Sequence, residues 1–127
     1  MTAACLPIDR VLPQLLATLQ THASIVLSAP PGAGKTTRVP LALLKIIPPG
    51  NGRILMLEPR RIAAVSAARY MAASLGEQVG QTVGYTIRFE RRLSAQTRIE
   101  VVTEGILTRR LQEDPELAGV ACIIFDE

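Results

Sequence analysis

Two stretches, far apart in the chain, carry residue types that could do chemistry. The first is Gly32-Ala33-Gly34-Lys35-Thr36-Thr37, and the second is the acid pair Asp126-Glu127. Glycines let a backbone curl around an anion so that successive N–H groups point inward. A helix starting just after such a loop aims its N-terminal amides and positive dipole end at the same anion. In that setting Lys35 is expected to reach the β- and γ-phosphates of a nucleotide, and the Thr36 hydroxyl to ligate Mg²⁺. Gly32, Ala33, Gly34 and Thr37 complete the expected phosphate cradle. The first position of the usual G-x-x-x-x-G-K-[ST] pattern is Ala29 here, while Gly32 and Gly34 stand where the loop must turn tightly. Asp126 would hold the metal, and Glu127 would orient and help deprotonate an attacking water. Without the glycine loop, two acids after an apolar run would read as a solvated strand end.

These side chains need a scaffold, and the sequence supplies a strand and a helix on either side of the loop. Ile25-Val26-Leu27 reads as a short strand entering it, and a helix is expected from about Thr36 to Ile47. Pro48-Pro49-Gly50-Asn51-Gly52 is a turn signal, and Arg53 to Glu58 is a nearly continuous apolar run of the kind found in buried parallel strands. The alanine-rich Pro59 to Leu75 predicts a helix ending before Gly76. Val83 to Ile87 and Arg98 to Val102 predict strands, Thr103 to Gln112 a helix, and Val120 onward a last strand running into the acids. Upstream, Leu12, Leu15, Leu16 and Leu19 fall at helical spacing in a short helix entered at Pro13. Strands alternate with helices throughout. The expected fold is therefore α/β, a mostly parallel sheet with helices on both faces, and both acids would sit at the C-terminal sheet edge beside the phosphate loop.

Composition narrows the classes further. The chain of 127 residues is 48% hydrophobic and 20% charged, which is globular, and too short for two ordinary domains. Its formal charge is +3, with arginine supplying 12 of its 14 basic residues, and arginine is the better fork for phosphate. Cys5 and Cys122 match no metal-ligand spacing and read as incidental thiols. No apolar stretch approaches the length of a membrane span and no leader pattern opens the chain. The expectation is a cytoplasmic protein without membrane partners.

Five stretches in order resemble the first RecA-like domain of a superfamily 2 DEAH-box helicase, most closely of the bacterial HrpB type. Ala29 to Thr37 resembles motif I. Leu57-Glu58-Pro59-Arg60-Arg61-Ile62-Ala63-Ala64 resembles motif Ia. Val83 to Glu90 resembles the family's V-G-Y-x-I-R-F-E stretch, Val102 to Leu107 resembles motif Ib, and Phe125-Asp126-Glu127 leads into motif II. The resemblance implies ATP and Mg²⁺ as cofactors and single-stranded nucleic acid, RNA ahead of DNA, as partner. It implies that Arg60, Arg61, Arg88 and Thr103 contact the strand. Such donors position a strand without reading its sequence. Two arginines at a helix start also oppose the helix dipole, so they need a reason other than helix stability. Tyr70 stands where many members stack an arginine on the nucleotide base, so Tyr70 or its neighbour Arg69 is expected there.

The resemblance also implies that residues 1–127 are the N-terminal part of that domain, cut after the motif II strand. A second RecA-like domain, with its arginine fingers, would lie outside this chain, and the isolated piece is expected to hydrolyse ATP negligibly. Rival readings are another P-loop NTPase, or a nucleic-acid-binding module with a non-hydrolysing nucleotide site. A small-molecule kinase would not need Pro59-Arg60-Arg61 or Thr103-Glu104-Gly105, and a dead site would not need Lys35, Thr36, Asp126 and Glu127 intact.

Overall fold

A computed structural model describes residues 7–28 and 34–126. Ala29, Gly32, Ala33 and Glu127, all named above, lie outside the described residues. After a 3-10 turn at Pro7–Arg10 come α1 (Leu12–Thr21), α2 (Lys35–Leu43), β1 (Arg53–Leu57), α3 (Arg61–Ser74), β2 (Val83–Ile87), β3 (Glu90–Arg92), β4 (Ile99–Val102), α4 (Glu104–Glu113) and β5 (Val120–Phe125). The five strands form one sheet in the order β3-β2-β4-β1-β5. All neighbours are parallel except the β2–β3 hairpin.

Strand alternation explains the layering, because successive side chains point to opposite faces. Ile54 and Met56 of β1, Val83, Tyr85 and Ile87 of β2, and Ile99 and Val101 of β4 all face one layer, filled by α1, α2 and α3. Leu55 and Leu57 of β1, Val102 of β4 and Ile123 of β5 face the other, with Leu107 of α4. Helices therefore cover both faces. On α3 the buried residues Ala64, Ala67, Ala68, Met71 and Ala72 recur at helical spacing. The small side chains of the four alanines let the helix lie close over β2 and β4. Cys122, half-buried on β5, has its thiol pushed up by burial, in keeping with a packing role.

Three elements differ from the sequence expectation. Ile25-Val26-Leu27 is not a strand: residues 24–28 take no regular structure, and Val26 is 95% exposed. Among the described residues the sheet ends at β5 on that side, and a cleft of about 940 Å³, lined by Ser24 to Leu27 and by β5, separates the two. A ladder requires strands only ~4.8 Å apart, so no pairing forms across it. The helix after the loop stops at Leu43 rather than Ile47. Beyond it Leu44, Lys45 and Ile46 bond three residues back, and Arg98 Nη2 takes the Ile47 carbonyl at 2.6 Å. Finally, β3 was not anticipated. It pairs with β2 through Tyr85↔Arg92, Thr86↔Arg91 and Ile87↔Glu90. Gly84 makes room for it, since a Cβ there would lie 2.1 Å from the Arg92 carbonyl oxygen.

Candidate nucleotide site and nucleic-acid groove

Parallel strands put their C-terminal ends on one edge of the sheet, and nearly every candidate residue described stands there. Across that edge the order is Arg88 after β2, Thr103 after β4, Arg60 and Arg61 after β1, and Asp126 after β5. Neighbouring strands are ~4.8 Å apart, so the row from β2 to β5 spans roughly 14 Å.

At the β5 end, Gly34 adopts φ +96° and caps α2, a left-handed conformation that glycine takes without the Cβ penalty. Lys35 and Thr36 then form the first turn of α2. The Thr36 hydroxyl donates to Asp126 Oδ2 at 3.0 Å, bridging the two halves of the sequence. The Asp126 N–H donates to the Leu57 carbonyl at 3.2 Å, which fixes the chain as it leaves β5. Lys35, Thr36 and Asp126 all line the cleft described above. Pro40 inside α2 has no N–H to offer the Thr36 carbonyl, one turn back. Thr37 Oγ1 contacts the Gly34 carbonyl at 3.5 Å, at the limit of a hydrogen bond.

The Thr36–Asp126 pair suits a hard divalent cation. Its hydroxyl uses one proton toward the carboxylate and keeps lone pairs on oxygen. Mg²⁺ takes oxygen ligands and is commonly held by one or two protein groups plus phosphates. Among the described residues no cluster of three or more His, Cys, Asp or Glu forms an all-protein metal cage.

Beyond β1, Arg60 caps α3 in an extended conformation and Arg61 opens the helix. Both line a second groove of about 990 Å³ with Ile62, Arg69, Ile87 and Glu90. Arg88 lies in the turn between Ile87 and Glu90, beside that groove. The structure thus brings Arg60, Arg61 and the Arg88 turn together. Arg69 belongs with them rather than with the Lys35 cleft. Tyr70 is half-exposed on α3 and lines neither. Thr103 precedes α4 as its cap and is only 9% exposed.

Sequence reasoning missed the group that holds α4 in place. Glu100, on the α4 face of β4, is 1% exposed. It accepts from Arg110 Nη1 at 2.9 Å and Nη2 at 2.5 Å, from Thr86 Oγ1 at 2.6 Å and from Arg53 Nη1 at 3.3 Å. Burial pushes the Glu100 carboxyl up, but the hydrogen bonds from Arg110 and Thr86, with the charges of Arg110 and Arg53, outweigh it and hold the group below its usual range. Arg110 is pushed up in turn, chiefly by its hydrogen bonds to Glu100. The available signal was a single acid inside the apolar run Ile99 to Val102, since a charge buried in a strand must be paired.

A glycine-capped helix start carrying Lys35, a hydroxyl–carboxylate pair and a row of arginines on one sheet edge are features of the P-loop nucleotide-binding class. A sequence profile of the DEAD/DEAH box helicases matches residues 9–127, and the chain belongs to that family. It is 52% identical over 123 residues to the ATP-dependent RNA helicase HrpB of Escherichia coli, covering 96% of this chain and 15% of that protein. It is 39% identical to the ATP-dependent RNA helicase HrpA of Borreliella burgdorferi, again covering 96% of this chain and 15% of the relative. A crystal structure of the E. coli DExH-box NTPase HrpB superposes with a TM-score of 0.90 at 51% identity, covering all of this chain and 16% of the other. A second, of the E. coli DEAH/RHA helicase HrpB, gives 0.88 at 51% identity over 96% of this chain and 16% of the other. The sheet and its helices are those of a RecA-like helicase domain, and the family is one that uses ATP. The chain spans about one sixth of the length of these relatives. Among the described residues no helix is long and apolar enough to cross a membrane.

Proposed function

We propose that this chain is the ATP-binding part of an ATP-dependent helicase that moves along or remodels single-stranded nucleic acid, RNA ahead of DNA. The observation that carries the reading is the Thr36–Asp126 hydrogen bond beside Lys35, on the same sheet edge as Arg60 and Arg61. In this reading residues 1–127 are the N-terminal part of the first RecA-like domain, and a second such domain completes the enzyme. Lys35 offsets the charge of the β- and γ-phosphates, and Gly32, Ala33, Gly34, Thr36 and Thr37 complete the phosphate cradle. Thr36 and Asp126 hold Mg²⁺, which when bound neutralises phosphate charge. Glu127 orients the attacking water and accepts its proton. Arg60, Arg61, Arg88 and Thr103 take the sugar-phosphate backbone of the strand.

ATP hydrolysis by the full-length protein, with and without single-stranded RNA, tests the reading, with single-stranded DNA and Lys35→Ala as controls. The expected result is stimulation by RNA and a loss of at least about 100-fold in Lys35→Ala, as for removal of a group aimed at developing charge. Hydrolysis indifferent to both nucleic acids would favour another P-loop NTPase.

A further inference from the structure

The β2–β3 hairpin closes in two residues, Arg88 and Phe89, between the paired Ile87 and Glu90. Phe89 takes the second position with φ +69° and is 90% exposed. A turn of that shape ordinarily places Gly or Asn there. A bulky aromatic in a sparsely populated backbone region, turned to solvent, serves neither packing nor turn formation. The hairpin beneath it is firm. Every residue of β2 is buried, and the Tyr85 hydroxyl donates to Glu90 Oε2 at 2.7 Å across the hairpin. The Arg88 guanidinium lies 4.8 Å from the centroid of the Phe89 ring, covering one face and leaving the other open.

The surroundings state what could lie on the open face. Arg88 shares the turn with Phe89, and Arg60, Arg61 and Arg69 line the groove that Ile87 and Glu90 border. An apolar partner surface alone would not account for four arginines, whereas an anionic polymer with planar aromatic groups meets both features. We propose that Phe89 is a stacking platform for a nucleobase, with Arg88 backing the ring, while Arg60 and Arg61 hold the phosphates of the same single strand. This rests on the nucleic-acid reading above and adds a base contact to a site otherwise made of phosphate contacts.

The test is equilibrium binding of the full-length protein to a fluorescent single-stranded RNA and to an abasic phosphodiester strand of equal length, across a salt series. Phe89→Asn removes the ring and tolerates the backbone conformation. Phe89→Tyr keeps the stacking face, and Arg61→Ala removes a phosphate contact. The expected result is about ten-fold weaker binding of RNA by Phe89→Asn, with abasic binding and the salt slope unchanged. Phe89→Tyr should match the parent, and Arg61→Ala should weaken both strands and reduce the slope by about one. Equal losses on both strands, or no loss on RNA, would overturn the stacking role, the latter leaving the ring to a protein surface. Failure of the parent protein to bind either strand would instead overturn the nucleic-acid reading itself, and the stacking role with it.

Discussion

Replacing Arg110 with Met removes the strongest partner of a carboxylate that is 1% exposed. Glu100 would lose two charge-assisted hydrogen bonds and keep only Thr86 at 2.6 Å and Arg53 at 3.3 Å. Removing one member of a fully buried ion pair costs ~3–5 kcal/mol. Here the Arg110 side chain is 31% exposed and two partners remain. Screening therefore lowers the expectation to roughly 2–3 kcal/mol, or a midpoint about 10 °C lower.

The pH dependence sharpens the test. In the parent, the folded Glu100 carboxyl lies below its ordinary 4.5, so its contribution is present above that value and is lost as pH falls through the folded one. Without Arg110, burial dominates and the folded value rises. The cost is then present at neutral pH and disappears as acid protonates the group. The stability difference between parent and variant should be largest near neutrality and shrink on acidification. Urea unfolding followed by far-UV circular dichroism at several pH values measures this directly. Adding Glu100→Met should restore at least half of the loss, because no uncompensated charge is then buried. A pH-independent difference, or one below about 1 kcal/mol, would refute the view that Glu100–Arg110 anchors α4 electrostatically.

Two further substitutions probe the site and the hairpin. Thr36→Val keeps the side-chain shape and removes the hydroxyl that meets Asp126 at 3.0 Å. In the full-length protein it should weaken nucleotide binding about ten-fold or more with Mg²⁺ present and little without it, read by calorimetry in both conditions. Equal weakening in both would remove Thr36 from the metal site. Gly84→Ala would drive a Cβ to 2.1 Å from the Arg92 carbonyl. It should destabilise by at least about 2 kcal/mol as β3 is pushed off β2, and an unchanged unfolding curve would contradict the close approach.

The parts of the fold legible in the sequence were those with one dominant local signal. The alanine spacing of α3 and the apolar runs of β1 and β4 each specify a buried face, and all three elements form within a residue or two of the expected limits. Ile25-Val26-Leu27 has the same β-branched character yet makes no strand, because pairing depends on a neighbour that a local run cannot reveal. The β3 strand, Glu-Arg-Arg, carries no apolar alternation at all. It is specified by what Gly84 leaves open and by the Tyr85–Glu90 bond, both contacts between separate segments. Likewise the sequence marked Thr36 and Asp126 by type and set them at one sheet edge, but the 3.0 Å bond between them depends on how α2 packs beside the end of β5. Arg69 and Tyr70 are adjacent in sequence, and a helix turns neighbours about 100° apart, so one lines the arginine groove and the other does not.

The end of β1 joins the two halves of the sheet edge. On one side the Leu57 carbonyl accepts the Asp126 N–H, and on the other the Glu58 N–H donates to the Val102 carbonyl, immediately before Thr103. The next residues, Pro59 to Arg61, enter the groove that Arg61 lines from the start of α3. Asp126 and Val102, the residue before Thr103, are thus bonded to adjacent residues, from which the chain runs directly into Arg61. Packed cores resist continuous deformation, and Leu55 and Met56 are buried on opposite faces of that strand. The phosphate side of the sheet and its arginine side thus meet at two consecutive residues, Leu57 and Glu58, at the end of a strand that contributes no catalytic group of its own.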